Sequence, residues 1–342
     1  MIDFRYHLVS IVAVFLALAI GIVLGSTELQ GNTIDALRAT SNSLSRQLSA
    51  AGAQRDAYQA QAGAEDQYLQ SAEPRLLARL LEGQSVVILT EPGAQGSVVD
   101  GVKQAAAAAG ATVTGQVALQ PKFNDISAAN QSTLSGINNE IAGIDGVVLP
   151  AGTDPQTVAQ QQAAQLIATA ILERAQGQTL LASAAAQTLL SAYAQAGYLT
   201  GAPTAPATLA VLVTPQTAPA DGPDDPANQV LLAITQEFAS GSAATLVAGG
   251  TAGSAQPGSA ISVLRSSSVS GQVSTVDDAD MTLGQISVIE ALADQLAGRK
   301  PNSYGISGAS AVSPVPLPSP SATATASATS QPKTTGRVGK KK

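Results

Sequence analysis

Two short runs of carboxylates are the residues best placed to do chemistry. Asp277, Asp278 and Asp280 stand in STVDDADMTLGQ, and Asp221, Asp224 and Asp225 in PADGPDDPAN. Carboxylate oxygens are ligands for hard cations, so Asp277, Asp278 and Asp280 form the candidate metal site. They lack the spacing of a calcium loop, and each run directly precedes a stretch read as a helix. Negative charge before a helix N-terminus is favourable in itself. Thr282 and Gln285 have the spacing of a capping box, and Asp225 immediately precedes Pro226. Helix capping is therefore the preferred role of both runs, with metal binding as the sharper alternative.

Other chemistry is scarce. Gly93-Ala-Gln-Gly96 follows the apolar run SVVILT and precedes a helical stretch, the context of a phosphate-binding turn. The full G-x-G-x-x-G pattern is absent and no Walker lysine follows, so nucleotide binding is a weak reading. Gly249-Gly250-Thr-Ala-Gly253 is weaker still, because no clear helix follows it. The chain has no Cys and one histidine, His7, set against the apolar N-terminal run. Thiol nucleophiles, disulfides and iron–sulfur clusters are excluded, and a Ser-His-Asp triad effectively so. No catalytic constellation is visible; the expectation is a non-enzyme without a resident cofactor.

Charge is unevenly placed. Lys and Arg total 17 against 24 Asp and Glu. Lys333, Arg337, Lys340, Lys341 and Lys342 lie beyond Pro301, where there are no acids, leaving 12 bases and 24 acids, a formal −12, for the rest. An acidic body speaks against nucleic acid as a partner.

Four pieces must position these residues. Residues 8–25 read LVSIVAVFLALAIGIVLG, without a charge, long enough as a helix to span about 27 Å. The run exceeds a usual signal-peptide core and lacks an Ala-x-Ala site, so a retained anchor over residues 1–27 is preferred to a cleaved leader. Arg5 precedes the run, whereas Glu28 and Asp35 follow it. The positive-inside rule then keeps the N-terminus cytoplasmic and exports the body.

Residues 28–73 carry a heptad-like repeat. With Ile34 at position a, the a and d sites are Ile34, Leu37, Ser41, Leu44, Leu48, Ala51, Arg55, Tyr58, Ala62, Glu65 and Leu69. The pattern predicts a coiled-coil-like stalk through which copies of the chain self-associate. The alternative is an amphipathic helix folded back on its own domain. Gly52 and Gly63 weaken the helix by about 1 kcal/mol each.

Residues 74–300 read as an α/β domain. Short apolar runs at 85–90, 111–117, 146–150, 208–214, 245–248 and 260–264 predict strands. Helical stretches at 96–109, 157–175, 180–196, 228–239 and 282–297 lie between them. Continuous β-branched runs predict a mainly parallel sheet covered on both faces. Residues 301–342 are rich in Pro, Ser, Thr and Ala with a basic end, and predict a disordered tail.

In this order of elements the chain resembles the copper transport outer membrane proteins of mycobacteria and related actinobacteria. The resemblance rests on RYHLVSIVAVFLALAIGIVLGS (5–26), the heptad-like helix, SVVIL (85–89), STVDDADMTLGQISVIEALADQL (274–296) and Tyr304-Gly305. It covers residues 1–305. It implies an envelope protein of the outer membrane that serves copper efflux and resistance as a pore, with copper as transported ion. The residues themselves indicate an inner-membrane anchor in contact with lipid. Copper(I) favours thiolate and thioether ligands, and this chain offers no Cys and two Met. A conduit passes its ion through weak sites, and one helix cannot enclose a channel, so a pore requires several chains. The alternative function is a non-catalytic envelope scaffold of anchor, stalk and α/β head.

Overall fold

The computed structural model describes residues 3–143, 149, 155–173 and 181–314, with backbone alone at 3–4 and 26–34. The described chain divides at Tyr68–Leu69 into two units. The first is built on helix α1, Asp3–Leu76, which runs unbroken through the expected join at residue 27. Its segment Arg5–Gly25 is long and apolar enough to cross a bilayer, and none of it is buried within the chain. Further along, Leu37, Leu44, Leu48 and Tyr58 are exposed as well.

The second unit is an α/β head. Its strands are β1 (Ser85–Thr90), β2 (Thr112–Leu119), β3 (Leu199–Thr200), β4 (Leu209–Val213), β5 (Ala244–Ala248), β6 (Ser274–Val276) and β7 (Ser303–Tyr304). They form one sheet of order β3-β2-β1-β4-β5-β6-β7, parallel throughout except for the β2–β3 edge. The expected mainly parallel α/β architecture is present.

The continuous apolar runs follow from coverage of both faces. Val87, Leu89, Ala210, Leu212 and Val247 enter one core, against α4 (Val158–Ile171), α5 (Ser183–Gln195), α6 (Pro226–Gly241) and α8 (Ala260–Ser266). Val86, Ile88, Val211, Leu246 and Val276 enter the other, with α2 (Gly96–Ala108), α9 (Thr282–Leu296) and Leu77 and Leu81 beyond α1. Alternate residues go to opposite faces and both faces are apolar. Between β2 and β3 the chain also forms α3 (Ala128–Ala142), a helix not among the expected elements. Buried tyrosines tie this region together: Tyr193 donates to Asn138 Oδ1 at 2.7 Å and Tyr198 to Asn130 Oδ1 at 2.8 Å.

Three expectations change. The run at 260–264 is helix α8, not a strand. Ser259 caps it by accepting from Ser262 N, and Ile261 and Leu264, one turn apart, are buried together. The strand that does pair with β5 is Ser274–Val276, whose Ser and Thr hid it from a hydrophobic scan. The disordered tail expected from residue 301 is folded for its first part: β7 pairs with β6, and Tyr304 is buried and bridged to Ala311. The expected strand at 146–150, apart from Leu149, and the tail beyond 314 lie outside the described residues.

Candidate functional site

In a doubly wound parallel sheet, ligands gather at the carboxyl ends of the strands, where the strand order reverses. Here that point lies between β1 and β4. The loops leaving these strands are laced together instead of parted. Ala94 bridges Pro215, Glu91 N donates to Val213 O, and Gln216 N donates to Gly93 O. Gly93 has φ +85°, a backbone that favours glycine, and an added Cβ would lie 3.4 Å from Pro215. The glycine of the suspected phosphate turn thus serves a loop junction. The residue just before Pro92 is Glu91, a buried carboxyl at the place a phosphate would approach.

Gly249-Gly250-Thr-Ala-Gly253 is likewise a packing device. It leaves β5 and its last three residues lie in the four-residue helix α7 (Thr251–Ser254). A Cβ on Gly249 would come within 2.7 Å of Ile261, Ser254 and Thr214, and one on Gly253 within 2.7 Å of Gln216 O.

The three candidate aspartates at the end of β6 are neighbours in sequence with three separate environments. Asp277 is fully buried and holds Arg265 of α8 in an ion pair, Nη1 to Oδ2 at 2.7 Å. Its Oδ1 accepts from Ile306 N at 2.7 Å, and both oxygens lie within reach of Ser307 N. Arg265 completes the knot. Its Nε donates to Thr275 Oγ1, Nη1 also to Ser307 O, and Nη2 to Tyr304 O. A Cβ on Gly305, whose φ is +119°, would collide with Asp277 Oδ1. The knot therefore joins two segments that the sequence set apart, STVDDAD and Tyr304-Gly305.

Asp280 faces the other way and caps α7. Its Oδ1 accepts from Thr251 N at 2.9 Å and its Oδ2 from Thr251 Oγ1 at 2.8 Å. Asp278 is buried with neither carboxyl oxygen hydrogen-bonded among the described residues. Burial, helped by the charge of Asp277, pushes its pKa up to about 6. Beside it, α9 comes so close that a Cβ on Gly284 would strike Asp278 O.

The geometry gives Asp277, Asp278 and Asp280 separate surroundings. One is consumed by an arginine, one by a helix terminus, and the third is enclosed without a converging ligand. Among the described residues no group of three or more His, Cys, Asp or Glu side chains is placed to hold a metal ion.

The capping reading is corrected in part. The residue preceding α9 is Met281, whose side chain makes no cap, and Gln285 donates to Ala279 O instead of closing a box. Of Asp277, Asp278 and Asp280, only Asp280 caps a helix, and that helix is α7. In the first acidic run Asp225 caps α6 by accepting from Ala227 N at 2.9 Å. Asp221 precedes and Asp224 ends a short 3-10 turn (Gly222–Asp224) before it. Arg265 and Glu91 were missed. A lone arginine in a serine-rich stretch and a glutamate before a proline carry no motif.

Residues 1–316 match the family described as "Copper transport outer membrane protein, MctB". The chain belongs to this family. The match takes in the N-terminal helix, the whole α/β head and the Arg265–Asp277 knot. Two of the relatives are named "Copper transporter MctB". The one from Mycobacterium tuberculosis is 33% identical over 323 residues, which cover 92% of this chain and 98% of the relative. The one from Mycobacterium leprae is 29% identical over 329 residues, covering 92% and 99%. The resemblance read from the sequence is thereby established, and it reaches past residue 305 into the segment that closes over the knot.

Proposed function

We propose that this chain is a copper-transport protein of the cell envelope, anchored by its N-terminal helix with the amino terminus in the cytoplasm and the head exported. The observation that carries this reading is the family match over residues 1–316 together with relatives named as copper transporters along nearly their whole length. Copper is the cargo and the chain is not an enzyme. The described part of the head offers no ligand cluster for tight metal binding, so the ion passes through an assembly of chains and not through one head.

Self-association runs through the stalk, where Leu37, Leu44 and Leu48 are exposed at heptad spacing. The description of the family as outer-membrane proteins supports a place for the assembly in that membrane.

The test has two arms. Deletion of the coding sequence should make cells copper-sensitive, and the wild-type chain should restore tolerance. Leu37→Asp with Leu44→Asp should not restore it and should dissociate the detergent-solubilised assembly. A reporter fused after Gly305 should be active only outside the cytoplasm. Unchanged copper tolerance on deletion would leave the envelope scaffold as the function.

A further inference from the structure

Beside the laced junction, on the β2 side, a cavity of about 400 Å³ opens at the carboxyl ends of β1 and β2. Its size is that of a small-molecule site. Glu91 lines it, 6% exposed, with Oε1 buried and without a hydrogen-bond partner among the described residues. A buried carboxyl left unpaired is costly, and folded proteins rarely keep one without a use. Asp100 of α2 lines the same cavity and is the other titratable group there. Gln116 and Gln120 on the β2 side supply neutral amides.

The bases nearby are engaged, Lys103 with two of the lining side chains. Lys103 is directed to Gln116 Oε1 at 2.9 Å and lies 3.7 Å from Asp100, while Lys122 donates to Ala196 O and sits over the Tyr198 ring. The lining is thus acidic and amide-rich with no lysine or arginine among it, the reverse of a phosphate site. Two carboxylates without His or Cys are also a poor metal cage, and the volume far exceeds a bare ion.

We propose that this cavity binds a small organic cation, a protonated amine with a polar body, whose charged nitrogen pairs with Glu91 and Asp100. The pairing places a positive charge against a carboxyl that burial otherwise keeps protonated, with a pKa of about 8. Binding then releases a proton from Glu91, and affinity rises with pH until Glu91 is ionised in the free protein.

The experiment is calorimetric titration of the full chain in detergent micelles with ethanolamine and with putrescine at pH 6, 7 and 8. Copper(II) chloride and sodium phosphate serve as the metal and anion arms. An amine should bind with affinity rising about tenfold from pH 6 to 7 and less from 7 to 8. Glu91→Gln, equal in shape and free of the burial penalty on charge, should lose that binding at every pH while melting no lower than wild type. Asp100→Asn, at an exposed position, should weaken it severalfold. The proposal is overturned if neither amine binds, if binding survives unchanged in Glu91→Gln, or if Glu91 takes up copper(II) or phosphate in preference to both amines.

Discussion

The two ends of the sheet's carboxyl edge treat a buried acid in opposite ways. At the β6–β7 end, Asp277 is surrounded by donors: one guanidinium and two backbone N–H groups. At the β1–β2 end, Glu91 is also buried and keeps an oxygen without a partner among the described residues, beside a cavity. Both are buried; company differs. A buried charge that is fully paired holds structure together, and removing its partner strands it. A buried carboxyl left unpaired stays neutral and is held ready for something else. Asp278 stands between the two cases, enclosed like Asp277 and, among the described residues, unpaired like Glu91.

The sharpest way to break this comparison is to remove the donor from the paired end. Arg265→Ala should destabilise the head by about 3–5 kcal/mol, because Asp277 is left buried with its charge uncompensated. Thermal unfolding of the detergent-solubilised chain measures it. A loss below about 1 kcal/mol would mean that the two ends do not differ in this way.

Gly305→Ala acts on the same knot through the backbone. It adds a Cβ onto Asp277 Oδ1 at a φ of +119°, and should cost about 2–3 kcal/mol. Wild-type stability in that variant would show that the Tyr304–Gly308 turn is free to move off Asp277.

Asp278 sharpens the comparison with pH. Its carboxyl is raised in the folded protein to about 6, so the folded state binds the proton more tightly than the unfolded one. The acid therefore favours folding below about pH 4, and this contribution is lost as pH rises through 6. Asp278→Asn should leave stability unchanged near pH 4 and increase it by about 1–2 kcal/mol above pH 7. Equal melting of the two proteins at pH 7.5 would contradict the assignment.

The smallest effect sets the scale for an acid with an ordinary local task. Asp225→Ala removes one cap from α6 and should cost about 1 kcal/mol at neutral pH, read by chemical denaturation.

Much of the fold was legible because the strands are apolar on both faces. SVVILT and TLAVLVT can hardly be anything but central strands once helices flank them. AISVL deceived because five residues are too few for periodicity to decide, and the deciding feature was the serine cap before it. Ser274–Val276 escaped because its neighbours, not its own apolarity, make it a strand. The site was less legible. Sequence brought Asp277, Asp278 and Asp280 together as a cluster, whereas the bend and turn that follow β6 send them to different surroundings. Arg265 and Gly305 acquire meaning only when α8 and β7 arrive at the end of β6. Glu91 carries no signal in the sequence because burial is a property of the fold around it.

The return of residues 303–314 to the sheet edge has a consequence for how the head is made. A chain is synthesised from its amino terminus, and its early segments are free to pack first. The last strand of this sheet, and the two N–H groups that receive Asp277, belong to the final part of the described head. Until they emerge, β6 is an open edge and Asp277 has only Arg265 for company. A polypeptide interrupted before residue 303 would therefore carry an exposed strand and a half-satisfied buried charge, the two features by which quality control tells an unfinished protein from a finished one.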